Sequence, residues 1–189
     1  MSNLEKYLQD QPQRTPALIK AALAHVQFET IHPFLDGNGR LGRLLITLIL
    51  CAEDALAQPL LYLSLFFKQH RQEYYDRLDA VRLKGDWPAW LRFFLEGVQQ
   101  TAQQAADTAG QILKLFDEDR RKVEDLSRKG GSAHRVFDLL RQHPITTIPN
   151  ATAQLDLTPP TVRKAVENLE TAGIVREITG KQRDRIYVY

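Results

Sequence analysis

The sequence predicts a mainly α protein in two parts: an all-helical region over residues 1–126 and a small α+β unit over 133–189. Three observations carry that expectation. Apolar residues recur at three- and four-residue spacing through the first part, with almost no alternating, strand-like run. "SRKGGS" (Ser127 to Ser132) has the charged, glycine-containing composition of a linker. After it, three short helical patterns lead into two runs rich in β-branched and aromatic residues.

Each element has a local reason. In "TPALIKAALAHVQFETI", Thr15 and Pro16 form a helix start, with proline at the first helical position. From about Gly39 to Ala52, "LLITLILCA" makes the next helix apolar on nearly every face, which predicts a central, buried element. Pro59 interrupts the pattern, "LSLFFKQHRQEYYDRLDAVRLKG" resumes it, and Gly85 and Pro88 punctuate it before a long amphipathic stretch beginning "WPAWLRFF". Beyond the linker, "AHRVFDLLRQH" is one helix and "IPNATAQLDL" another, capped by Asn150. In "TPPTVRKAVENLETAG", Thr158 caps, Pro159 opens and Gly173 ends a third. Ile174–Ile178 and Arg185–Tyr189 then read as a hairpin. Three helices and a hairpin, in that order, are the order of a winged helix-turn-helix.

Bulk composition narrows the functional classes. With 43% hydrophobic and 25% charged residues the chain is globular in character. The single cysteine, Cys51, sits in an apolar run, which excludes an internal disulfide or a cysteine-built metal site and predicts a core residue. No apolar run approaches the ~20 residues of a membrane span. "MSNLEKYLQD" lacks the apolar centre of a signal peptide, so the expected location is cytoplasmic. The net charge of +2 resides in the last third: residues 130–189 hold eight Lys/Arg and six Asp/Glu, and the rest of the chain is balanced.

The chemistry concentrates in "HPFLDGNGRLGR", His32 to Arg43. Gly37 and Gly39 let successive backbone N–H groups point into one concavity, an anion nest. The nest would lie at a helix N-terminus, where free N–H groups and the helix dipole favour negative charge. Arg40 and Arg43, three apart, share one face and can grip phosphate oxygens bidentately. Asp36 is a hard oxygen ligand suited to Mg²⁺ bridging phosphates. An imidazole such as His32 can accept a hydroxyl proton. Phe34 is expected to turn inward and anchor the loop. Together these are parts for phosphoryl or nucleotidyl transfer.

The stretch resembles the Fic-family signature H-x-F-x-[D/E]-G-N-[G/K]-R-x-x-R at all eight specified positions: His32, Phe34, Asp36, Gly37, Asn38, Gly39, Arg40 and Arg43. The helical flanks, to about residue 115, resemble the Fic core. The resemblance implies a protein adenylyltransferase that moves AMP from ATP to a Ser, Thr or Tyr hydroxyl of a target protein, itself included. It implies His32 as base, Asp36 as Mg²⁺ ligand, and Gly37, Asn38 and Gly39 as the cradle of the α- and β-phosphates. Arg40 would contact the phosphates and Arg43 the γ-phosphate, with Leu41 and Gly42 completing the nucleotide-binding run and Tyr74 and Tyr75 beside the adenine. The Doc branch carries lysine where this chain has Gly39, so adenylylation is expected over phosphorylation.

Two family features find no match. The inhibitory pattern [S/T]-x-x-x-E-[G/N] is not met by Glu96-Gly97, preceded by Arg92, nor by Glu167-Asn168, preceded by Arg163. The hairpin flap that aligns the target normally lies upstream of "SNLEKYL". The expectation is an N-terminally truncated Fic domain: a truncated gene, a fragment, or a protein regulated by a partner that supplies the inhibitory helix. A homodimer is a further open assembly.

In the C-terminal unit, Val162, Val166 and Leu169 should face the core. Thr161, Arg163 and Lys164 would be placed for DNA, with Lys181, Arg183 and Arg185 on the wing. The competing functional class is therefore a DNA-binding winged-helix regulator whose Fic domain senses nucleotide or is inert.

Overall fold

The computed structural model describes residues 1–9, 15–127 and 131–189. Packing divides the chain into two units, Met1–Thr108 and Ala109–Tyr189. The division falls inside a long helix, α6 (Trp87–Ser127), rather than at Ser127–Ser132. Residues 128–130 of the expected linker lie outside the described residues, while Ser132 already begins α7 (Ser132–Gln142).

Unit 1 contains α1 (Ser2–Gln9), α2 (Ala17–Ile31), α3 (Asn38–Ala52), α4 (Leu63–Gln69), α5 (Arg71–Lys84) and the first part of α6. Its core gathers Val26, Ile46, Leu50, Leu78, Trp90 and Phe94, all fully buried. Ala21, Ala22 and Ala24 present almost no side-chain bulk on α2, so neighbouring helices approach closely and the Trp90 indole N–H reaches the Ala22 carbonyl at 3.1 Å. Lys20 of α2 pairs with Glu53, the residue that ends α3.

Three local expectations are corrected here. Helix α3 is not buried all round: Gly42, Ile46, Ile49 and Leu50 face inward, but Leu41, Leu44 and Leu48 form an open stripe, the last two 51% and 56% exposed. A sequence apolar on every face does not say how many faces have neighbours. Phe34 is half-exposed and only approaches Phe28 at 6.4 Å, so it does not anchor its loop in the core. At α2, Pro16 occupies the cap position with extended backbone and Thr15 caps nothing.

Unit 2 follows the order α7, β1 (Ile145–Thr147), α8 (Ile148–Leu155), α9 (Pro159–Thr171), β2 (Arg176–Glu177), β3 (Ile186–Val188). The sheet is antiparallel in the order β1-β3-β2, with Ile145 opposite Val188 and Glu177 opposite Tyr187. The sequence reading missed β1, a three-residue edge strand whose pairing partner lies some forty positions away. The hairpin strands are shorter than expected. Helix α8 is capped by Thr147, whose hydroxyl accepts from the Asn150 backbone N–H; Asn150 is inside the helix. Thr158 holds the cap position of α9, but its hydroxyl pairs with that of Thr161. Gly173, at φ 71°, ends the helix as expected. Val162, Val166 and Leu169 are fully buried with Val136, Phe137 and Leu140.

Candidate functional site

The site begins where α2 stops. His32 adopts the left-handed conformation (φ 49°, ψ 56°), and its N–H closes the helix on the Phe28 carbonyl at 3.0 Å. A non-glycine residue there is strained by its Cβ, and the conformation turns the chain away from the helix axis, leaving His32 exposed. The loop that follows is held by Asn38, which is buried. Its Oδ1 accepts from the Phe34 N–H at 2.9 Å and its Nδ2 donates to the Phe34 carbonyl. The amide side chain therefore fastens the loop and leaves the Asn38 backbone for other use.

Gly37 caps α3 at φ 81°, a conformation that favours glycine. The Leu41 N–H bonds the Gly37 carbonyl at 3.0 Å, so the Asn38, Gly39 and Arg40 N–H groups precede the first intrahelical bond. With the dipole of a 15-residue helix behind them, these groups form an anion-binding corner. Asp36 sits at its rim, 94% exposed in its side chain. It accepts from the Gly37 N–H at 2.6 Å and meets the Arg40 guanidinium at 3.4 Å. That exposed pair contributes little to stability.

A cavity of about 450 Å³ opens beside this corner, lined by Arg40, Arg43, Ser64, Phe67, Lys68, Arg71, Tyr74 and Tyr75. Four of the eight are cations and none is a carboxylate. Arg71 lies 5.9 Å over the Tyr75 ring, and Tyr75 meets Tyr74 edge-on at 5.1 Å. The two tyrosines differ: Tyr74 is buried and Tyr75 is about half-exposed. The fold thus brings Arg40, Arg43, Tyr74 and Tyr75 to one cavity. His32 and Asp36 do not line it. Leu41 points to solvent, and Gly42 is buried against α2, where an added Cβ would lie 2.7 Å from Glu29 Oε1 and 3.3 Å from His25.

Behind the cavity lies a polar network that the sequence reading passed over. His25 is fully buried, with Nδ1 2.9 Å from the Gly42 carbonyl and Nε2 2.9 Å from the Tyr74 hydroxyl. A carbonyl only accepts, so Nδ1 carries the proton and Nε2 accepts from Tyr74. Burial lowers the His25 pKa to about 4, against the smaller upward pull of its bond to Gly42. Burial likewise raises Tyr74, helped by the nearby Glu29 carboxylate. The available signal was spacing: His25 and Glu29 stand at i and i+4 on α2, with His32 at i+7 as its C-cap. Lys68 and Arg71 left no such trace, since they belong to two different helices.

Among the described residues, no group of three or more His, Cys, Asp or Glu side chains is placed to hold a metal ion. A lone exposed carboxylate such as Asp36 suits a magnesium ion bound mainly by phosphate oxygens and water. Among the described residues, no helix is long and apolar enough to cross a membrane.

Comparison with known proteins agrees with the motif. Residues 1–50 match the Fic/DOC family. The chain is similar to a protein adenylyltransferase Fic from Aedes aegypti, 38% identical over 81 residues, which are 43% of this chain and 15% of that protein. It is also similar to one from Drosophila yakuba, 33% identical over 102 residues, 53% of this chain and 19% of that protein. The match thus spans less than a fifth of the length of these relatives. The fold is similar to the crystal structure of a Fic family protein from Desulfovibrio desulfuricans G20, with a TM-score of 0.53 and 21% identity over 99% of this chain and 53% of that one.

Proposed function

We propose, from the match of residues 1–50 to the Fic/DOC family, that the protein transfers AMP from ATP to a hydroxyl of a target protein. The relatives' names support this reading, and one structural observation carries it: four cations converge on a carboxylate-free cavity beside the N-terminus of α3. Such a cavity fits a polyphosphate, and its half-exposed Tyr75, backed by Tyr74, offers a face for a base.

In the proposed reaction the His32 imidazole takes the proton of a Ser, Thr or Tyr hydroxyl. The freed oxygen attacks the α-phosphorus, the bond from that phosphorus to the bridging oxygen breaks, and pyrophosphate leaves with its charge against Arg40 and Arg43. The backbone N–H groups of Asn38 and Gly39 stabilise the charge that develops on the α-phosphate. Asp36 is the residue that would hold magnesium, which supplies charge neutralisation on the phosphates. Glycine at position 39, where the resembling Doc branch carries lysine, supports adenylylation over phosphorylation.

Incubation with α-labelled ATP, Mg²⁺ and cell lysate tests the reading. His32→Ala should lower labelling by ~10²–10⁴-fold while ATP binding is retained, because the substitution removes only the base. Labelling that persists at the wild-type rate in this variant would end the assignment.

We propose in addition that unit 2 is a winged helix able to contact nucleic acid. Arg163 and Lys164 on α9 and Lys181, Arg183 and Arg185 before β3 are all exposed, which supports it. Duplex DNA should shift at low salt and lose the shift in the Arg163→Glu, Lys164→Glu double variant; absence of any shift at low salt removes the idea.

A further inference from the structure

The polar network behind the cavity contains a carboxylate that the proposed reaction does not use. Glu29, in the last turns of α2, is 8% exposed, and its Oε1 is sealed from solvent with no hydrogen-bond partner among the described residues. A buried, unsatisfied carboxylate oxygen is costly, so its position calls for a reason. Its surroundings supply one. Above Gly39, the point where a side chain would begin lies 3.7 Å from Glu29 Oε1 and 3.2 Å from Arg43 Nη1. At Gly42, one turn on, the same point lies 2.7 Å from that oxygen. Gly39 and Gly42 therefore make a notch along the start of α3 into which the carboxylate reaches, with the guanidinium beside it at Gly39.

We propose that Glu29 is a positioning residue for Arg43, holding its guanidinium against the cavity wall before any ligand arrives. This rests on the reading of the cavity as a polyphosphate site, and it extends that reading to a residue outside the signature. An arginine side chain has many rotamers, and ordering it on binding weakens affinity. An opposite charge nearby, its Oε1 sealed from solvent, narrows those rotamers in advance. The carboxylate stands on the α2 side of the guanidinium without bonding it, and Arg43 keeps its N–H donors for the cavity it lines.

Tyr74 bounds the same space. Its hydroxyl proton is committed to His25, so its oxygen offers only lone pairs to neighbours, of which Arg43 is one. Glu29 is fixed in turn through its own backbone, whose carbonyl accepts from Arg82 Nη2 at 2.9 Å, while Arg82 Nε reaches Thr30 Oγ1 at 3.3 Å. Burial raises the Glu29 pKa, and the Arg43, His32 and Arg82 charges act against that rise. The carboxylate thus senses the guanidinium although the two form no ion pair within 4.0 Å.

Side-chain NMR on the ligand-free 189-residue chain tests the positioning without reference to activity. The Arg43 Nε–H signal, identified by its loss in Arg43→Lys, should be sharp and protected in the wild type. In the near-isosteric Glu29→Gln it should merge with those of exposed arginines, with backbone amides reporting an intact fold, and Glu29→Asp should restore it in part. An Arg43 signal unchanged in Glu29→Gln overturns the proposal. Titration with ATP and AMP then separates the two readings. Glu29→Gln should weaken ATP binding about tenfold, leave AMP binding unchanged, and add nothing in the Arg43→Lys background. If Arg43→Lys weakens ATP binding and Glu29→Gln does not, the positioning role is wrong. If the NMR result holds while neither variant alters ATP binding, Glu29 positions Arg43 and the polyphosphate reading of the cavity is what fails.

Discussion

Unit 1 and unit 2 bury different kinds of side chain. The interior of unit 1 takes in Lys20, His25, Glu29 and Asn38 beside its aromatic core, and three of these lie on one helix, α2. Unit 2 closes over alanine, valine, leucine and phenylalanine, with Asp119 and Thr146 as its buried polar residues among those described. Asp119 is fully engaged, by the Tyr189 hydroxyl at 3.0 Å and Lys122 at 2.6 Å. In unit 1, Glu29 keeps an oxygen without a partner. Burying polar groups costs stability unless they are satisfied. Both units leave buried polar atoms unpaired among the described residues, Arg120 Nε and Thr152 Oγ1 among them in unit 2. In unit 1, however, His25 and Glu29 stand behind a cationic cavity, the pattern expected where a site is supported rather than a core filled.

The contrast makes a pH prediction, the largest in expected size. Burial holds His25 neutral in the folded state, with a pKa of about 4 in place of 6.5. The unfolded chain takes up a proton on His25 as pH falls below 6.5 and the folded chain does not, so stability is lost between pH 6.5 and about 4. The loss should reach roughly 3 kcal/mol. Both tryptophans, Trp87 and Trp90, lie in unit 1, so urea titrations followed by tryptophan fluorescence report on that unit. Glu29, raised by burial, contributes with the opposite sign: its share of stability falls as pH rises. The difference in slope between wild type and His25→Leu isolates the histidine. Equal slopes would show that His25 is not held neutral, and the contrast between the two interiors would lose its main support.

A matched pair of substitutions sharpens the comparison on a smaller scale. Gly42→Ala drives a methyl group to 2.7 Å from Glu29 Oε1 and 3.2 Å from the Phe28 ring, and should destabilise unit 1 by about 1–3 kcal/mol. Gly110→Ala, in the part of α6 that belongs to unit 2, meets nothing within 4 Å on an exposed helical face. It should stabilise that unit by about 0.5–1 kcal/mol, because alanine is the better helix former. Thermal melts by circular dichroism and fluorescence read both, and a Gly42→Ala protein as stable as wild type would mean that the notch beside Glu29 is not tightly packed.

Much of the site was legible in the chain. The positive φ at Gly37, the start of α3 within a residue of expectation and the pairing of Arg40 with Arg43 on one face are local matters of backbone sterics and helical period. Helix type was legible throughout unit 1 for the same reason. What failed had a long-range cause. The exposure of Leu44 and Leu48 depends on which elements flank α3, β1 on a distant partner strand, and Thr147's capping role on where that strand ends. The His25–Glu29–His32 spacing was visible as a period, but nothing local distinguishes a buried polar face from a solvated one.

By itself, then, the sequence determined the helical character of unit 1, the signature loop with its glycine-dependent turn, and the cations of α3, because each follows from steric and spacing rules acting over a few residues. Tertiary structure alone decided that Lys68 and Arg71 join Arg40 and Arg43 around one cavity, that His25 takes the tautomer with its proton on Nδ1, and that Glu29 lies sealed beside Arg43. Those outcomes depend on packing between helices far apart in the chain, where burial sets the protonation state and orientation of groups whose identity is all that the sequence records.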